Sequence, residues 1–244
     1  MIVCLLILNG CDRSSPEITR LQARPGIPTV AIESGEHALG LGGMRLVNRG
    51  VIWRDGVFYV PALSDTDKPL PLLVWLHGGG GRADAFRYMF PLAQESGVVI
   101  LALDARHNTW DGIDSGFGPD VEFMDAALQF IFQRVAIDPD RIALGGLSDG
   151  GAYALALGRA NGDLFTHLVA FAPGGLNPPS APIGQPKIFV AHGTHDNVYH
   201  ISGSRHYIVP RLKSAAYDVS FVEFDGPHWA PAPIVSQVLK WLKQ

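Results

Sequence analysis

Short apolar runs of strand length alternate with stretches of helical periodicity along most of this chain, and that alternation restricts its fold more than any other feature. The runs are Val57 to Val60, Leu72 to Leu76, Val98 to Leu103, Arg141 to Leu144, His167 to Ala172, Lys187 to Ala191 and Val219 to Phe224, all rich in branched or aromatic residues. Several are apolar throughout, as strands covered on both faces must be. Apolar residues recur at helical spacing over Val121 to Arg134, Gly150 to Leu157, Ser202 to Ala216 and Ile234 to Leu242. The pattern predicts an α/β fold, a doubly wound and mostly parallel sheet with helices on both faces. Such sheets bind ligands at the carboxyl ends of their strands, so the residues that directly follow each run are the first candidates for a site.

With 244 residues, 47% of them hydrophobic, the chain can bury a core without covalent staples. Its formal net charge of −4 lacks the basic excess of a nucleic-acid binder, so no nucleic-acid partner is expected. Cys4 and Cys11 are the only cysteines, so the sequence beyond Cys11 can hold neither an internal disulfide nor a thiolate metal site. Ile2 to Leu8 is an apolar run too short to span a bilayer, and it ends in Leu8-Asn9-Gly10-Cys11. We expect a signal segment over residues 1–11, a tether over 12–26 and a single domain over 27–244. Leu-x-Gly-Cys resembles the lipobox of bacterial lipoproteins, although no Lys or Arg precedes the run. That resemblance implies lipidation at Cys11 and export, either to the periplasm or to a membrane through the lipid anchor.

Gly146-Leu147-Ser148-Asp149-Gly150 follows the run Arg141 to Leu144 and precedes a helical stretch. Gly-x-Ser-x-Gly alone is weak evidence, but between a strand and a helix it describes a sharp turn that holds a serine hydroxyl up at the sheet's edge. The flanking positions must then lack Cβ atoms. A serine at its ordinary pKa is a poor nucleophile, so the reading demands a base, an orienting acid and an anion hole. His228 follows the run Val219 to Phe224 and is the best placed of nine histidines for the base. Asp196 follows the run Lys187 to Ala191 and is the acid, with Asp225 as a rival too near His228 in sequence to reach it easily. The order Ser148, Asp196, His228 differs from that of other serine hydrolase folds. His77-Gly78-Gly79-Gly80-Gly81 closes the run Leu72 to Leu76, so the N–H of Gly79, or of Gly80 in its place, can pair with the N–H of Asp149 around an oxyanion.

These motifs, strand-HGGGG, GLSDGG, HGTHD and DGPH in order, resemble the α/β-hydrolase superfamily. Within it they are similar to the compact bacterial esterases grouped with feruloyl esterases, polyhydroxybutyrate depolymerases and phospholipase/carboxylesterases. The resemblance implies a Ser148, Asp196, His228 triad that hydrolyses small-molecule carboxylic esters through an acyl-enzyme, with no cofactor. Asp149 stands where these groups often carry Ala or Gln, which leaves the substrate subgroup open. The stretch from Ala172 to Lys187 is too short for a large lid, so an open site for short-acyl or aryl esters is expected. Trp110, with Phe117 in the segment 107–118, and Trp229 beside His228 are candidate substrate contacts. A metal site among His192, His195, His200 and His206 fits no strong ligand spacing. The competing functions are a serine peptidase of the same fold and a non-catalytic lipid-anchored binding protein.

Overall fold

Successive residues of the apolar runs face opposite sides of one sheet, and helices cover both sides. The computed structural model describes residues 19–47, 50–62, 68–114, 116–177 and 181–244. Cys11 and the expected signal segment lie outside them. The strands are β1 (Gly35–Ala38), β2 (Gly43–Val47), β3 (Gly50–Arg54), β4 (Gly56–Val60), β5 (Leu70–Leu76), β6 (Val99–Leu103), β7 (Ile137–Leu147), β8 (His167–Phe171), β9 (Lys187–Gly193) and β10 (Val219–Phe224). The α-helices are α1 (Phe90–Ser96), α2 (Asp111–Asp114), α3 (Pro119–Phe132), α4 (Asp149–Ala160), α5 (Val209–Ser214) and α6 (Ala232–Trp241).

Eight strands form the main sheet in the order β1-β4-β6-β5-β7-β8-β9-β10. Every pairing from β6 to β10 is parallel, while β1 and β4 add an antiparallel edge. Leu72, Val74 and Leu76 of β5 pack with α3, α4 and α5 on one side, and Leu73 and Trp75 pack with α1 and α6 on the other. The same division holds for Ile188 and Val190 against Phe189 and Ala191 of β9. Alternation between two buried faces explains why these strands read as continuous apolar runs. No helix occupies the described residues between β8 and β9, in keeping with the expected lack of a large lid.

The structure adds elements that carried no apolar run. β1 (Gly-Glu-His-Ala) is an edge strand with alternating exposure, and its His37 ring stacks on Phe58 at 5.0 Å. β2 and β3 form a separate hairpin. The expected helix Ser202 to Ala216 is present over residues 202–214, with a π-helical turn over Ser204–Ile208 that runs into α5. Pro210 has no N–H to donate into the preceding turn, which widens there.

The expected tether over 12–26 is corrected from Thr19 onward. Leu21 is 0% exposed and joins the larger core, with Ala23 beside it. Leu21 N–H donates to Asn161 Oδ1 at 2.9 Å, and the N–H groups of Gln22 and Ala23 both donate to Asp125 Oδ1. Arg20 and Arg24 converge on Asp163. The segment is held because side chains of α3 and of the loop after α4 satisfy its backbone, a partnership that composition does not reveal. Leu21→Ala is expected to lower the unfolding free energy by about 3 kcal/mol in denaturant titration, whereas a loose tether would give no change.

His167 at the start of β8 is buried against Trp241, with ring centroids 4.8 Å apart, and its Nε2 meets no hydrogen-bond partner among the described residues. Burial, with the charges of Lys187 and Arg141, pushes its pKa down to about 4. The unfolded chain therefore binds a proton here that the native state refuses, and stability falls as pH drops from about 6.5 toward 4. His167→Phe should make the acid limb of the stability profile shallower across that window; an unchanged limb would contradict a neutral His167.

Candidate active site

β7 passes into α4 through Ser148, whose φ of 59° and ψ of −121° lie where residues other than glycine are rarely held. The surroundings fix that conformation. A Cβ at Gly146 would lie 2.5 Å from the carbonyl carbon of Gly150, and one at Gly150 would lie 2.4 Å from the carbonyl oxygen of Leu76. Both glycines are therefore required by backbone rather than by movable side chains. Ser148 N–H donates to Phe171 O at 2.8 Å, tying the turn to the end of β8. The serine thus stands at the carboxyl edge between β5 and β8, with its side chain mostly buried. Gly150→Ala is expected to cost about 3 kcal/mol or more of stability, while Gly203→Ala, whose Cβ would meet nothing within 4 Å, should be neutral or slightly stabilising in the same melts.

The glycine turn after β5 lies against this serine. A Cβ at Gly78 would stand 3.0 Å from Ser148 Cβ. His77 braces the turn from below: its Nδ1 donates to Gly78 O at 2.7 Å and its Nε2 accepts from Ala105 N–H at 3.0 Å. That pair of bonds fixes one neutral tautomer, and burial lowers the His77 pKa in the same direction. Gly80 N–H is spent on Asn108 O at 2.7 Å, so Gly80 is not available as the substitute anion donor. The N–H groups of Gly79 and Asp149 make no hydrogen bond to any described residue.

Trp110 is not a substrate contact. It is 1% exposed, and its indole N–H donates to His77 O at 2.8 Å, so it supports the turn from inside. Phe117 likewise packs inward on Tyr153, with centroids 5.2 Å apart. Aromatic residues in a loop suggested a rim, but the loop folds its rings into the core. It does so through two buried carboxylates: Asp120 accepts from the N–H groups of Arg106 and Asp111, and Asp111 accepts from Gly118, Asp120 and the Tyr153 hydroxyl. Burial raises the Asp120 carboxyl to about 6. Trp229 is 39% exposed and stacks on Phe86 beside Tyr88.

Asp196 lies on the loop after β9 with a fully buried carboxylate. Its Oδ2 accepts from His228 Nδ1 at 2.6 Å, and its Oδ1 accepts from the N–H groups of Val198 and Tyr199, both at 2.8 Å. Burial pushes this carboxyl up, but the bonds from His228, Tyr199 and Val198 outweigh it and hold the pKa below the ordinary value. The rival Asp225 pairs instead with the exposed His195 at 2.9 Å. With Nδ1 engaged by Asp196, His228 has Nε2 left for other chemistry. Ser148 Oγ makes no hydrogen bond to a described residue, so the Ser148–His228 bond is open in this structure.

His192, inside β9 but just past its apolar run, also belongs to this site, and nothing in the sequence marks it as such. Its Nε2 donates to Tyr199 O at 2.8 Å and lies 3.1 Å from Asp196 Oδ2, while its Nδ1 accepts from Ser204 Oγ at 2.8 Å. Burial lowers its pKa and keeps it neutral, so it locks the loop that carries the acid. The π-turn places Ser204 under it. His200 bonds Ser202, and so these histidines are dispersed among separate partners.

A serine held in a strained strand-to-helix elbow, in a parallel sheet with a buried Asp–His pair two strands away, defines a fold of the hydrolase type. The chain belongs to the alpha/beta hydrolase family, whose model matches residues 73–240. Comparison with curated proteins finds no match. Among solved structures it is similar to esterase PE8, at 20% identity over 78% of this chain and 98% of that one, with a TM-score of 0.61. It is also similar to a Bacillus cereus carboxylesterase, at 21% identity over 78% and 93% of the two chains, TM-score 0.55. An acylaminoacyl peptidase from Pyrococcus horikoshii aligns at 14% identity over 87% of this chain and 42% of its own, TM-score 0.62.

Proposed function

We propose that this protein is a serine esterase that hydrolyses carboxylic esters through an acyl-enzyme on Ser148. The observation that carries the reading is the pairing of His228 Nδ1 with the buried Asp196 carboxylate, which leaves Nε2 as the basic atom on the side of the sheet where Ser148 is presented. Ser148 Oγ attacks the ester carbonyl as His228 Nε2 takes its proton. The negative oxygen then lies between the N–H groups of Gly79 and Asp149, and His228 returns the proton to the departing alcohol. Water repeats the sequence on the acyl-enzyme. Asp196 does not change protonation; its charge stabilises the imidazolium, and its two backbone bonds keep it from rotating away.

The lack of a helix between β8 and β9 among the described residues favours short-acyl or aryl esters, and the exposed Trp229 face supports contact with an apolar substituent. Ser148→Ala should reduce kcat on 4-nitrophenyl butyrate by about 10⁴-fold or more with an unchanged melting temperature. A fluorophosphonate should label the wild-type protein at Ser148 and leave the variant unlabelled. Persistence of turnover in Ser148→Ala, or cleavage of peptide substrates in preference to esters, would overturn the proposal.

A further inference from the structure

Asp149 follows the serine and has a second feature besides its backbone N–H. Its side-chain Oδ2 accepts from Thr109 Oγ1 at 2.7 Å and lies 2.7 Å from where a Cβ on Gly79 would stand. The carboxylate therefore rests on the exposed glycine whose N–H we assign to the oxyanion. Burial raises the Tyr199 pKa, and the charge of Asp149 raises it further. The Tyr199 ring in turn lies 5.7 Å from the His228 ring. One carboxylate thus rests on the anion-hole glycine, and its charge reaches the aromatic ring beside the base.

No described cation neutralises it. Thr109 is its side-chain partner among the described residues, while Arg54 Nη1 donates to Gly81 O at 3.0 Å and Arg82 pairs with Asp104 at 3.2 Å. The first turn of α4 favours a negative charge, which accounts for its tolerance in the fold. Catalysis is another matter. A carboxylate held against the anion hole repels the negative oxygen that forms there, and a neutral substrate leaves that repulsion in place. A substrate with a positive charge a few bonds from the scissile carbonyl converts the same carboxylate into an anchor.

We propose, building on the esterase reading above, that the Asp149 side chain is a specificity-determining group that selects esters carrying an ammonium or other cationic group close to the scissile carbonyl. The test uses isosteric pairs: a choline ester against its carbon analogue with tert-butyl in place of trimethylammonium, and the same exchange at the end of a short acyl chain. Wild-type kcat/KM should favour the cationic member of at least one pair by about fivefold or more at low salt, and the ratio should shrink as ionic strength rises. Asp149→Asn should bring the ratio near one, and the salt dependence in wild type serves even if that variant folds poorly. Equal kcat/KM within both pairs for wild type, or a ratio that survives in Asp149→Asn, overturns the inference. Fluorophosphonate labelling separates the two levels: labelling of Ser148 with no charge preference rejects only the role of Asp149, whereas no labelling and no ester turnover rejects the esterase reading beneath it.

Discussion

Close approach of backbone to backbone at the β7–α4 turn is the constraint on which the rest of the structure depends. Ser148 is held at positive φ, a conformation worth on the order of 1–3 kcal/mol of strain, and it persists because its surroundings leave nowhere else for it to go. Gly146 and Gly150 let the turn lie on the carbonyls at the end of β5, and Gly158 lets the far end of α4 settle onto Leu168, where a Cβ would stand 2.1 Å from Cδ2. The helix buries most of its length against the sheet. That packing offsets the strain, and the serine hydroxyl is presented as a consequence.

Around this turn the loops at the carboxyl edge are held by side chains bonding to backbone. Asp104 accepts from the N–H groups of Asp55 and Ala83, Asp120 and Asp111 brace the loop that carries Thr109 and Trp110, and His77 supports the glycine turn. On the other side His192 and Asp196 hold the loop that bears Tyr199. Bonds to a charged group contribute about 1.5–3 kcal/mol each and are costly to break singly when buried, so these loops act as fixed surfaces. Gly79 and Asp149 keep their N–H groups unspent within this otherwise satisfied shell. Free donors in a rigid setting suit an oxyanion, because they need no reorganisation as charge develops.

The strands were legible because burial on two faces writes itself as continuous apolar sequence, and the serine elbow because its two glycines flank Ser148 at fixed spacing between a strand run and a helical stretch. Asp196 and His228 follow their strands as expected, and the structure joins them directly. What escaped the sequence depends on partners far along the chain. Leu21 reads as part of a polar tether until Asn161 and Asp125 are seen to satisfy its segment. Trp110 reads as a rim residue because a loop aromatic next to Asp and Gly gives no sign that its N–H will meet the His77 carbonyl. His192 directly follows the apolar run Lys187 to Ala191, where a neutral buried imidazole is indistinguishable from a core residue until Ser204 and Tyr199 are placed around it.

The proposed chemistry requires Ser148, His228 and the paired N–H groups of Gly79 and Asp149 to surround one reacting atom. A crystal structure of the protein after reaction with a phosphonate ester measures this directly. The account predicts phosphorus bonded to Ser148 Oγ, its free oxygen within hydrogen-bond distance of both N–H groups, and His228 Nε2 turned to Oγ while Nδ1 keeps Asp196. Phosphorus on another side chain, or its oxygen turned away from Gly79 and Asp149, would contradict it.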